Sequence, residues 1–165
     1  MAEDKKATDL KKLCMTLYGI YALSAVLQFF GSTVLVGLLA LVIAYILTVS
    51  NRTLARDTIY ERHLQWMSRT FWIGSGVLVP AAVVIATVLI WNLTDVASLA
   101  SSLSGDDPLA MINGIKNYMD NNMAKVSLIT VATAVPTALW WLRRCWIGYA
   151  LVKAGKPVEN VKSWL

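Results

Sequence analysis

Four stretches of this chain contain no charged residue and no histidine: residues 13–30, 33–50, 71–93 and 126–142. A helix needs roughly 17–25 predominantly apolar residues to cross a hydrocarbon core, and all four stretches meet that length. Too little polar chain separates them to wrap four such helices in a soluble core. The pattern therefore predicts an all-α membrane protein, a single domain over 1–165 with four transmembrane helices. The expected spans are about 13–30, 33–50, 71–93 and 126–147, with a loop at 94–125 and tails at 1–12 and 148–165. The first run has a rival reading as a signal peptide, because Lys5, Lys6, Lys11 and Lys12 precede it and Ala22 to Ala25 loosely resembles a cleavage site. It outlasts the usual h-region of roughly 7–15 residues, so it is expected to be retained.

Finer pattern predicts how the spans pack. Phe30, Gly31 and Ser32 leave room only for a tight reversal between the first two spans. Gly19, Ala22 and Ala25 share one face of the first, and Gly37, Ala40 and Ala44 one face of the second; such small-residue stripes let membrane helices approach closely. Pro80 and Pro136 each remove a helical hydrogen bond near mid-span, with Thr133 placed to help satisfy a freed carbonyl. The 94–125 loop divides in two. Residues 95–105 are small, polar and expected to be irregular. From Asp106 and Asp107 the pattern turns helical: an acid caps, Pro108 suits the first position, and Leu109, Ile112, Ile115, Met119 and Met123 form an apolar stripe. That stripe is expected to lie on the outer leaflet or to bind a partner.

Composition sharpens the class. The chain is 57% apolar and 15% charged, against about 25% charged in soluble domains. Its net charge of +5 matters less than where the cations fall. The first tail, the 51–70 linker and the segment from Arg143 onward hold thirteen of the 15 Lys and Arg, whereas the 94–125 loop holds only Lys116 and Lys125. Excess Lys and Arg marks the cytoplasmic face, so both termini and the 51–70 linker are expected there and the 94–125 loop outside. Topology and anionic headgroups account for the charge, and the expected partners are the lipid bilayer and other membrane subunits or a second copy, with no nucleic acid.

Candidate chemistry is sparse. At mid-membrane depth the spans carry no charged side chain of the kind that marks proton relays or ion paths. His63, the only histidine, has Glu61 and Ser68 nearby, but a histidine base needs a nucleophile and an orienting group, and the three do not form that arrangement. Cys14, Cys145 and His63 would offer three zinc ligands on one side, without the short-spaced ligand pairs that announce such sites. No cofactor and no metal are expected. Trp66, Trp72, Trp140, Trp141 and Trp146 gather toward the inner boundary, with Trp91 toward the outer one, as an aromatic belt does. The stretch from Asn51 to Trp72 thus reads as a short cytoplasmic interfacial helix that bends into the third span. His63, Trp66, Arg69, Phe71 and Trp72, together with Arg143 and Arg144, anchor it, the arginines snorkelling beside the indoles.

The same stretch resembles a family of small bacterial inner-membrane proteins, itself distantly similar to the four-helix membrane subunit of the chloroplast inner-envelope translocon. The family pattern runs Glu-Ser-His-Phe-Arg-Trp-Gln-Ile-Arg-Thr-Phe-Trp; Glu61, His63, Trp66, Arg69, Thr70, Phe71 and Trp72 match it in register, whereas Arg62, Leu64, Gln65, Met67 and Ser68 depart. The resemblance implies a helical protein of the bacterial inner membrane and carries no established reaction. The functional expectation is a non-catalytic accessory or scaffold subunit of a bacterial inner-membrane complex. The alternative is a translocation pore or channel component whose polar path would run past Ser75, Thr130, Thr133 or Thr137.

Overall fold

The structure is a computed structural model in which residues 2–28, 30–104 and 107–163 are described. Asp106, one of the two expected caps, lies outside them. Every regular element among the described residues is helical: α1 (Ala2–Leu27), α2 (Val34–Ser50), α3 (Ile59–Ile73), α4 (Val79–Leu93), α5 (Val96–Leu103) and α6 (Pro108–Lys153), with a short 3₁₀ turn before α2 and a π-helical segment, Gly74–Leu78, between α3 and α4. Three helices are long and apolar enough to cross a membrane, Asp4–Leu27, Ile59–Leu93 and Pro108–Lys153; α2, with 17 residues, is shorter. The chain divides into two compact units, one formed by Met1–Val77 with Ala138–Leu165, the other by Leu78–Thr137.

In the first unit, residues spaced three and four apart bring buried stripes together. Leu10, Cys14, Leu17, Tyr18, Tyr21 and Ala25 supply the stripe of α1, and Gly37, Leu41, Ala44 and Thr48 that of α2. Trp141, Arg144, Cys145, Gly148 and Val152 supply that of α6. Close approach depends on glycine where a ring lies against a backbone: a Cβ on Gly148 would fall 2.2 Å from Cζ of Tyr18, and one on Gly74 would overlap the Trp141 ring. Exposed apolar residues lie away from these stripes. Leu35, Leu39, Ile43 and Ile46 of α2 are exposed, and α4 buries no residue at all. Exposed apolar side chains in such number are foreign to a soluble monomer.

Several expectations are corrected. The helix of α1 starts at Ala2, so residues 2–12 are helical and continuous with the apolar run that follows. Gly19 is exposed with nothing near it, because the face that α1 buries runs through Tyr18 and Tyr21 instead. The linker is not one helix from Asn51: residues 51–57 form turns, Asp57 takes a left-handed φ of 63°, and α3 begins only at Ile59. Its start is chemically explicit. Thr58 accepts from the Tyr60 N–H, and the Glu61 carboxylate accepts from the Asp57 N–H, a variant of the capping box. The face of α3 bearing Tyr60, Leu64 and Met67 is buried within the chain, where the sequence pattern placed it on a lipid leaflet.

In the second unit, residues 96–103 are helical where irregular chain was expected, because Asp95 caps them by accepting from the Ser98 N–H at 3.1 Å. Gly114 meets Ser102, a Cβ there falling 2.2 Å from the serine Cβ. Thr94 and Tyr118 join their hydroxyls at 2.7 Å, and Lys125 donates to the Leu93 carbonyl at the end of α4. The helix beginning at Pro108 does not stop before a fourth span; it continues for 46 residues through Pro136 to Lys153. The Thr133 hydroxyl donates to the carbonyls of Ile129 and Thr130, not to the Ala132 carbonyl that Pro136 leaves without its helical partner. The π-helical segment sits just ahead of Pro80, a wider turn of the kind that accommodates a ring lacking an N–H.

Candidate functional site

Two groups of residues stand out, one in each unit. The first is a buried polar knot. Arg144 has no accessible surface, and its guanidinium carbon lies 3.5 Å from the centroid of the Trp66 ring and 5.1 Å from that of Trp140. Arg144 Nε donates to the Thr70 hydroxyl at 3.0 Å and Nη1 to the Ser163 carbonyl at 2.6 Å. The Trp66 N–H donates back to the Arg144 carbonyl, and Thr70 donates to the Trp66 carbonyl. Among the described residues this cation is thus held by two aromatic faces, a hydroxyl and a carbonyl, with no carboxylate paired to it.

His63 is the second member of the knot and is also fully buried. Its Nε2 is 2.9 Å from the Lys156 carbonyl, which only accepts, so Nε2 carries the ring proton. Nδ1 then accepts from the Tyr18 hydroxyl at 3.2 Å. Position 63 precedes the apolar run 71–93; burial pulls its pKa below the ordinary value, with the Lys156 carbonyl pulling the other way. The end of α6 aims that carbonyl. Gly155 takes φ 67°, Lys156 N–H bonds the Leu151 carbonyl and Gly155 N–H that of Val152, the paired bonds of a Schellman motif. Pro157 follows and Val158 drops into the core.

The residues expected as interfacial anchors therefore separate. His63, Trp66 and Arg144 lie in the core, so the snorkelling expected of Arg144 is corrected: its partners are inside the chain. Arg69 and Phe71 are half-buried, Phe71 stacked on Tyr45 at 4.1 Å. Trp72 and Arg143 are exposed, and Trp72 donates to the Tyr45 hydroxyl. Trp146 and Trp91 are surface residues, whereas Trp141 is buried. Cys14 and Cys145 are buried free thiols, and no set of three metal-ligating side chains gathers among the described residues. The hydroxyls of Ser75, Thr130 and Thr133 each donate to a carbonyl one turn back.

The second group is the expected stripe. Leu109, Ile112, Ile115, Met119 and Met123 are all exposed, Leu109 by 70% and Ile112 by 60%. Asp107 is its cap, accepting from the Leu109 N–H at 2.9 Å. The stripe occupies the first turns of α6 and is not a separate helix, since the helix runs on without a break. No protein-family model, no curated protein and no solved structure matches this chain.

Proposed function

We propose that this chain is a non-catalytic accessory or scaffold subunit of a bacterial inner-membrane complex, crossing the membrane four times with both termini in the cytoplasm. The observation that carries this reading is the exposed stripe of Leu109, Ile112, Ile115, Met119 and Met123 on a helix of 46 residues. At 1.5 Å per residue that helix is about 69 Å long, more than twice the roughly 30 Å of a hydrocarbon core. An apolar face that outruns the bilayer has water as its alternative to a partner. Methionines suit it to an adaptable contact, and each buried Ile, Leu or Met is worth roughly 1.5–3 kcal/mol before ordering costs.

The polar side chains support the same reading. His63 spends both ring nitrogens on structural bonds, and Arg144 is stacked and bonded inside the core. The four-span count rests on α2, whose exposed leucines and isoleucines suit a hydrocarbon surround although its 17 residues are at the short limit. The orientation rests on the thirteen basic residues outside the 94–125 loop.

Co-purification in mild detergent, comparing wild type with the double substitution Ile112→Asp plus Ile115→Asp, tests this. The substituted chain is expected to reach the membrane in normal amount and to lose its partner. Equal partner recovery from both chains overturns the assignment of the stripe, and a wild-type particle containing only this chain under several extraction conditions overturns the subunit itself.

A further inference from the structure

We propose that a cleft between the start of α1 and the end of α2 is a headgroup site for an anionic glycerophospholipid. The inference rests on the reading of these helices as membrane spans and goes beyond it by naming a ligand. The cleft has a volume of about 480 Å³, and its polar wall is formed by Lys5, Lys6, Asp9 and Asn51. Leu10, Leu13 and Leu54 form its apolar floor.

Its depth is set by the sequence. Leu13 is the first residue of the uncharged run 13–30, and Asn51 is the first residue after the run 33–50. Both helices therefore change from apolar to polar at this cleft, which is where a phospholipid changes from acyl chain to headgroup. Basic pockets between helices at that level recognise anionic headgroups.

The chemistry of the wall matches one phosphodiester. Neither Lys5 nor Lys6 has a hydrogen-bond or ion-pair partner among the described residues, whereas Lys11 is engaged with the Lys153 carbonyl. Two lysines against Asp9 leave one positive charge for one negative phosphodiester. Asn51 gives its Nδ2 to the Leu47 carbonyl, and its Oδ1 has no donor among the described residues. With the Asp9 carboxylate it accepts from a hydroxylated headgroup, and phosphatidylglycerol supplies both the charge and the hydroxyls.

The test uses the full-length chain in nanodiscs of mixed phosphatidylglycerol and phosphatidylcholine, with lipids retained on the protein read by native mass spectrometry. Wild type is expected to retain phosphatidylglycerol preferentially. Lys5→Gln plus Lys6→Gln is expected to lower that preference roughly 25-fold, given about fivefold for each lysine near an anionic surface. Lys5→Arg plus Lys6→Arg keeps the preference, as does Lys12→Gln, which changes the basic segment without touching the cleft. A glutamine pair that retains phosphatidylglycerol like wild type overturns the site. So does equal retention of phosphatidylethanolamine, and displacement by millimolar inorganic phosphate reassigns the cleft to a soluble anion. Alkaline extraction of the same membranes separates the two ideas: release of wild type overturns the membrane reading, whereas firm retention without lipid preference overturns the cleft alone.

Discussion

Arg144 and Trp66 hold each other twice. The guanidinium carbon stands 3.5 Å over the indole ring, and the indole N–H reaches back to the Arg144 carbonyl at 3.3 Å. A desolvated cation–π contact is worth about 2 kcal/mol, and hydrogen bonds to a charged group about 1.5–3 kcal/mol each. Arg144→Lys keeps the charge but loses the planar fork that meets Thr70 and Ser163. It is expected to cost about 2–4 kcal/mol, read as a lower midpoint of thermal unfolding in detergent. A double-mutant cycle of Arg144→Met with Trp66→Leu should return a coupling of about 1–2 kcal/mol; independent effects would remove the stacking argument.

Gly148 and Gly19 should respond to alanine with opposite signs. The new methyl at 148 meets the Tyr18 ring at 2.2 Å, and overpacking of this kind costs about 1–3 kcal/mol. At 19 nothing lies within 4 Å, so the helix gains up to about 1 kcal/mol from alanine. Unfolding midpoints of the two variants, measured in the same detergent, compare them directly.

His63 sets a pH dependence. Its folded pKa lies below the ordinary 6.5, so the unfolded chain binds more protons in the window between the two values, and stability rises with pH there. Melting temperature is therefore expected to be full above about pH 7 and to fall as the pH drops below 6.5. His63→Gln, which offers the Lys156 carbonyl an amide N–H and Tyr18 an acceptor, should flatten the profile between pH 7.5 and 5.5. An unchanged slope would place the titrating group elsewhere.

Thiol labelling checks topology without removing the native cysteines. Cys14 and Cys145 are buried, so an impermeant maleimide should leave both untouched in the folded chain. Asn117→Cys is expected to label from outside intact cells, and Lys162→Cys only after the inner membrane is opened. Labelling of both from one side would overturn the four-span reading.

The membrane class was legible from charge alone, because an uncharged run of 17 or more residues has few other uses. The first turns of α6 were equally legible, since Leu109 to Met123 follow a helical period and stay exposed. The knot was not. Periodicity shows that α3 has an apolar face, but whether that face meets lipid or protein depends on Tyr18 and Gly148, far away in sequence. An arginine next to tryptophans looks the same whether it snorkels or is stacked inside. One local signal was available: Gly155 followed by Pro157 announces a helix stop with a reversal, and that reversal delivers the Lys156 carbonyl. Asp95 ahead of a short apolar pattern was likewise a readable cap for α5.

The turn at Gly155 has a consequence in time. It presents the Lys156 oxygen to a histidine 93 positions earlier, and Ser163 then meets Arg144. Helices α1, α2 and α3 are synthesised first, and the interior they share is left open on one side until α6 and the segment after it arrive. Up to that moment His63 Nε2 and the Trp66 N–H lack the carbonyls of Lys156 and Arg144 that satisfy them. The interior of this unit is thus completed by the last-made part of the described chain.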